Sequence, residues 1–216
     1  MISEAIYLHY MNALLDGDKS QCSKIIHGLV EQKIPLKEIY LDLLQRSMYR
    51  IGQLWEKERC SIGDEHIATK ITESLIDLTT SLVESKEQTG KKIVIACIDK
   101  EYHELGAKMV AGFFEVNGWE SIFLGSCTPT NEILNVIKNK NPHVVGISIN
   151  FYINVARLAK LIKMIRNDFP DIKIIIGGQA VASIDKESLK QYKVEYIPTL
   201  TDLETYINNY NSSINN

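Results

Sequence analysis

The stretch Asp99-Lys100-Glu101-Tyr102-His103-Glu104-Leu105-Gly106 sets a carboxylate two residues before an imidazole, where an apolar run gives way to a helical pattern. An imidazole in such a loop can offer one ring nitrogen to a metal while Glu101 accepts the N–H of the other and fixes the tautomer. The plainer alternative is a solvated loop histidine. Gly106, about one turn further on, leaves room for a bulky group beside the backbone. Similar positions follow later apolar runs: Gly125-Ser126-Cys127-Thr128-Pro129, Ser148-Ile149-Asn150 and Gly177-Gly178. A glycine pair admits close approach of a ligand but also makes an ordinary turn, and Ser148 can bond a ligand or a nearby backbone group. In the first half, Trp55 is followed after nine residues by Glu65-His66. That set combines a flat apolar wall with two hydrogen-bonding groups. The competing assignments are helix-bundle core for Trp55, a charge favouring a helix N-terminus for Glu65, and plain surface for His66.

Residues 1–88 repeat apolar positions at three- and four-residue spacing, as in Ile39, Leu43, Leu44, Met48 and Ile51. Pro35 suits a first helical turn, and the spacing predicts one long helix from Pro35 to about Glu58. Ser61–Glu65 then supplies a break and capping residues before a second long helix from Glu65 to about Ser85. With two shorter helices before Pro35, this predicts an antiparallel four-helix bundle as the first domain, 1–88. From residue 89 the period changes. The runs Ile93–Ile98, Ser121–Leu124, His143–Ile149, Ile172–Ile176 and Val194–Ile197 alternate with helical segments near 103–117, 130–139, 152–168, 180–190 and 201–212. That alternation predicts an α/β domain over 89–216, a flavodoxin-like or Rossmann-like five-stranded parallel sheet with helices on both faces. Such sheets bind ligands beyond the carboxyl ends of their strands, which is where the residues above fall.

The chain has 216 residues, with 24 Lys+Arg against 27 Asp+Glu and a net charge of −3. This balance argues against holding nucleic acid by bulk positive charge. No apolar run approaches the roughly 18 residues of a membrane span, and the amphipathic, acid-bearing N-terminus is unlike a secretory signal. Four cysteines, Cys22, Cys60, Cys97 and Cys127, lie far apart with no CxxC pair, which disfavours structural zinc and a disulfide framework. The expectation is a cytoplasmic protein with reduced thiols and no membrane partner.

Glu101-x-His103-x-x-Gly106, then Ser148, then Gly177-Gly178 resembles the cobalamin-binding signature D/E-x-H-x-x-G … S-x-L … G-G. The resemblance covers residues 92–212, and the helical bundle before it is similar to the cap domain of methionine synthase, corrinoid carrier proteins and cobalamin photoreceptors. It implies a corrinoid bound with its dimethylbenzimidazole tail displaced into a slot along the sheet. His103 then becomes the lower cobalt ligand, Glu101 its hydrogen-bond partner, and Gly106, Ser148, Gly177 and Gly178 shape the slot, with Gly125, Thr128 and Asn150 at the same edge. Glu101 stands where carriers usually have Asp, and either carboxylate can polarise an imidazole. Asn150 stands where Leu is usual, which puts the packing of the slot in question.

The Trp55-x9-Glu65-His66 spacing resembles the cap of light-sensing cobalamin regulators of the CarH type, where these side chains enclose the adenosyl group of adenosylcobalamin. The resemblance implies a photoreceptor that is not an enzyme: light cleaves the Co–C bond, the bundle shifts, and the signal passes through self-association or a partner regulatory protein. Two departures stand out. Nothing in residues 1–88 resembles the DNA-binding domain of those regulators, so direct nucleic-acid binding is not expected. Glu56 occupies the position of the histidine that ligates cobalt in their light-formed state. The leading alternative is a corrinoid methyl-carrier of a methyltransferase system. A cofactor-free interaction module and an Asp99 phospho-acceptor are the remaining readings.

Overall fold

Ser3, Asp18 and Ser61 start three helices of the N-terminal region by accepting hydrogen bonds from the first-turn N–H groups of Ile6, Gln21 and Asp64. The computed structural model describes residues 1–184 and 186–212, divided into two compact units, Met1–Glu84 and Ser85–Asn216. In the first unit, α1 (Glu4–Leu15) and α2 (Lys19–Glu31) precede one long helical rod. That rod comprises α3 (Leu36–Glu38), a π-helical segment Ile39–Gln45 and α4 (Arg46–Glu56), and a fourth helix, α5 (Ile62–Leu82), follows. The four-helix arrangement is the expected one, with two differences. The rod is not uniformly α-helical, since seven residues take the wider π turn. And α5 begins three residues before Glu65, because Ser61 and Asp64 form a reciprocal capping box that fixes its start. The core of the unit is apolar, including Leu14, Ile26, Leu43, Ile51 and Leu75, with the Tyr40 and Thr80 hydroxyls bonded to each other at 2.6 Å.

The second unit carries β1 (Lys92–Cys97), β2 (Glu120–Phe123), β3 (Val144–Ser148), β4 (Lys173–Gly177) and β5 (Glu195–Tyr196), all parallel, in the order β2-β1-β3-β4-β5. Its helices are α6 (Leu105–Val116), α7 (Thr130–Lys140), α8 (Val155–Asp168), α9 (Lys186–Gln191) and α10 (Leu200–Ser212). Alternate residues of the central strands face opposite ways. Ala96, Val145, Ile147, Ile174 and Ile176 pack with Ile133 and Ile137 of α7 and Leu158, Ile162 and Ile165 of α8. On the other side Trp119 joins Phe114 of α6 to Tyr210 of α10 through edge-to-face ring contacts. The expected sheet is therefore present, covered on both faces. The predicted helix near 180–190 is present in two pieces, a 3-10 turn, Gln179–Ser183, and α9, with the extended backbone of Ile184 between them. The backbone of Lys86 and Thr89 donates to the carbonyls of Val116 and Gly118. Those bonds tie the polar stretch before β1 to the second unit, so the unit boundary falls at Glu84/Ser85 and not after Gln88.

Strand order reverses direction between β1 and β3, and this switch point is where open α/β sheets present a crevice. In-register pairing sets Cys97, Ser148 and Gly177 side by side at the carboxyl edge of β1, β3 and β4. The loops leaving these three strands carry the candidate site.

Candidate functional site

The loop after β1 folds back at once. Lys100 adopts the left-handed region (φ 63°) and the N–H of Glu101 returns to the carbonyl of Ile98 at 3.0 Å. This turn aims the Glu101 side chain inward, where it is wholly buried. A buried carboxylate needs partners, and Glu101 has five. Oε1 accepts from His103 Nδ1 at 2.8 Å and from the His103 backbone N–H at 3.2 Å. Oε2 accepts from the backbone N–H of Asn150 at 2.8 Å, that of Phe151 at 3.1 Å and the Nδ2 of Asn154 at 3.1 Å. Burial pushes the Glu101 carboxyl up, but the donors, His103 foremost, outweigh it and hold the group down at about 2. An ionised Glu101 can only accept, so the proton between the two side chains belongs to Nδ1, which leaves Nε2 as the nitrogen a metal would use. The ring is 54% exposed and meets Phe151 edge-to-face at 4.5 Å. An imidazole held by a buried carboxylate on one nitrogen and an aromatic edge on its ring is oriented as a metal-ligating histidine would need to be.

The other expected residues of this edge are arranged around that pair. Gly106 is the second residue of α6, and a Cβ there would meet nothing within 4 Å, so space is open beside the helix backbone. Ser148 is buried beside Cys97, whose thiol donates to the His103 carbonyl at 3.6 Å and is pushed up to about 12 by burial. Gly178 has φ 97° and ψ 162°, a conformation reserved for glycine, and a Cβ there would lie 2.1 Å from the Ile149 carbonyl oxygen. Its partner Gly177 sits in the β4 pairing with open space to 3.5 Å. Asn150 uses its amide within the edge, donating to the His103 carbonyl and accepting from the Gln179 N–H, both at 3.2 Å. Gly125 and Thr128 serve the loop after β2: the Thr128 hydroxyl bonds the Leu124 and Gly125 carbonyls, and its N–H bonds the Cys97 carbonyl. Thr128 is thereby engaged in joining that loop to β1.

The three residues expected in the cap lie on consecutive helices of the first unit. Trp55, in the last turn of α4, is 48% exposed, so it is not bundle core. Glu65, in the first turn of α5, accepts from the Thr69 hydroxyl at 2.8 Å. His66 is 70% exposed and its Nε2 stands 3.7 Å from Glu65 Oε2.

Two members of the Glu101 network escaped the sequence reading. Phe151 packs on the imidazole, and Asn154 is buried just before α8. An Asn at that position signals a helix cap. Here its Nδ2 donates to Glu101 and to the Lys100 carbonyl, while its Oδ1 accepts from Arg157 at 3.0 Å.

Comparison with known proteins decides the family. A family described as B12 binding domain matches residues 91–198, half of the chain, and a second family of the same description matches residues 9–79. The chain belongs to the B12 binding domain family. It is a cobalamin-binding protein by that membership, and it is 26% identical over 137 residues to methionine synthase of Mycobacterium tuberculosis, covering 62% of this chain but 11% of that enzyme. Along most of its length, 80%, it is 18% identical to a corrinoid protein of Desulfitobacterium hafniense, 82% of which is covered. Among solved structures, the monomethylamine corrinoid protein of Methanosarcina barkeri shares its fold, with a TM-score of 0.77 at 13% identity over 96% of this chain and 99% of that one. The methanol:cobalamin methyltransferase complex of the same organism matches with a TM-score of 0.52 at 14% identity, over 98% of this chain and 81% of that one.

The site residues fit a corrinoid. Among the described residues no cluster of three or more His, Cys, Asp or Glu side chains is placed to hold a bare metal ion. One pre-oriented imidazole suits a metal that arrives with its equatorial ligands already in place. The open space at Gly106 and the backbone approach at Gly178 leave the edge of β3 and β4 lined by small groups. Among the described residues no helix is long and apolar enough to cross a membrane.

Proposed function

We propose that this chain is the corrinoid-bearing component of a methyltransferase system, a carrier of methyl groups between two methyltransferases and not itself the catalyst. The observation that carries this reading is the imidazole of His103, fixed by a wholly buried Glu101 at the switch point of a chain whose fold matches a corrinoid protein over 96% of its length. When bound, the corrinoid supplies a cobalt centre that can accept and release a methyl group. In this reading His103 would hold the cobalt through Nε2, while its Nδ1 would keep its proton donated to the ionised Glu101, whose own affinity for a proton is low. Phe151 limits rotation of the ring. Ser148, Gly177 and Gly178, with Gly106 opposite, form the slot for the cofactor tail.

This reading replaces the light sensor as the leading one. The sensor rested on Trp55, Glu65 and His66, whose placement on the first unit does not by itself call for an adenosyl group. The whole-length relatives reported above are named as corrinoid proteins, which supports methylcobalamin as the working form of the cofactor and a methyltransferase as the partner. Spectral titration in the dark with methylcobalamin and adenosylcobalamin tests the choice, combined with light scattering before and after green illumination. A carrier takes up both forms with similar affinity, keeps its mass under light, and still takes up methylcobalamin as Trp55→Ala. Selective uptake of adenosylcobalamin, lost in Trp55→Ala and accompanied by a light-dependent change of mass, would overturn the carrier in favour of the sensor.

A further inference from the structure

Asn150 stands where three strand-end loops meet, and three of its polar groups each hold a different point. Its backbone N–H donates to Glu101 Oε2 at 2.8 Å, its Nδ2 to the His103 carbonyl at 3.2 Å, and its Oδ1 accepts from the Gln179 N–H at 3.2 Å. The loop after β1 is thus gripped at the carboxylate and at the backbone of the imidazole-bearing residue. The loop after β4 is gripped at the residue following Gly178. That loop is already pressed on the Ile149 carbonyl, where a Cβ on Gly178 would approach to 2.1 Å, so it has little freedom to shift without its neighbour. A leucine, the residue the resemblance expects at this position, has similar bulk but neither donor nor acceptor. It would leave the His103 carbonyl and the Gln179 N–H without these bonds, and nothing would then join the two loops through this side chain.

We infer that Asn150 is a positioning residue that couples the His103 loop to the glycine loop, so that one amide sets both the axial imidazole and the mouth of the tail slot. This rests on the reading of His103 as the lower cobalt ligand and of the glycine pair as part of the slot. The amide acts through backbone groups, so its removal should disturb ligation and affinity together. Gln179→Pro separates the two arms. It deletes the N–H that Oδ1 accepts, at the first position of a 3-10 turn where proline is tolerated, and leaves the bond to His103 in place.

The test loads four full-length chains, unaltered, His103→Ala, Asn150→Leu and Gln179→Pro, with cob(II)alamin after isotopic labelling of histidine nitrogen. Affinity is read by absorption titration and axial ligation by the histidine-nitrogen splitting in electron paramagnetic resonance, with circular dichroism as a check on folding. Asn150→Leu should bind about tenfold more weakly and show the histidine splitting in only part of the population. Gln179→Pro should lose affinity yet keep the splitting. Unchanged affinity with full splitting in Asn150→Leu overturns the inference, and should that variant not fold, unchanged affinity in Gln179→Pro does so. If the unaltered chain lacks the splitting and matches His103→Ala, the ligand reading itself has failed.

Discussion

Each unit of the molecule contains a glutamate next to a histidine, and the two pairs behave differently. Glu101 and His103 lie two residues apart on a folded-back loop and meet at 2.8 Å, with the carboxylate wholly buried under five donors. Glu65 and His66 are adjacent on a helix and approach only to 3.7 Å, with the histidine exposed and the glutamate half-buried. Neighbouring helical side chains diverge around the axis, so the second pair has no geometry in which both can be held. The left-handed turn at Lys100 supplies that geometry to the first pair. An acid and an imidazole close in sequence therefore become a functional unit only where the backbone buries the acid.

The largest effect that would sharpen this contrast is Glu101→Ala. Removing the carboxylate strands its donors, and denaturant unfolding of the cofactor-free chain should lose about 3–5 kcal/mol. A loss below about 1 kcal/mol, the range of an exposed pair, would break the comparison. Next comes acid. The folded pKa of Glu101 is depressed from 4.5 to about 2, so its contribution is present above the unfolded value and fades as pH falls between those limits. On the order of 3 kcal/mol should disappear there, and Glu101→Gln should flatten that part of the stability profile. Gly178→Ala, forced into a backbone region closed to alanine, should cost about 1–3 kcal/mol in the same assay. At the other end, His66→Ala should stay within about 0.5 kcal/mol and leave the acid limb unchanged. A larger loss would show that the helical pair is held after all.

The sheet was legible in the sequence because its strands are buried on both faces and read as β-branched runs, as at Ile93–Ile98 and Ile172–Ile176. The Glu101–His103 pair was legible because it lies at a strand end in a recognisable pattern. Asn154 was not, since an asparagine before α8 carries an ordinary capping signal and only the fold shows its amide turned to Glu101 instead. Asn150 was legible as a departure but not as a junction, because its partners lie on loops 47 and 29 residues away in sequence. The π segment of the long rod leaves no mark in a three- and four-residue apolar pattern. The early start of α5 had a signal, the Ser61-x-x-Asp64 capping box, which a search for the first apolar residue passes over.

The clash that Gly178 would meet with any side chain has an implication for how the signature ages. The glycine is demanded by the crossing of two backbones and would be required whether or not a cofactor ever arrived. The imidazole of His103, half in solvent, is one of five donors to Glu101, so its loss removes a hydrogen bond but meets no backbone clash. A lineage that stopped using its corrinoid would be free to lose the histidine while selection for a foldable chain kept the glycine. Sequences with the glycine pair intact and the histidine gone would then be relics of chains that once held a corrinoid, and the two halves of the signature could be used to date the loss.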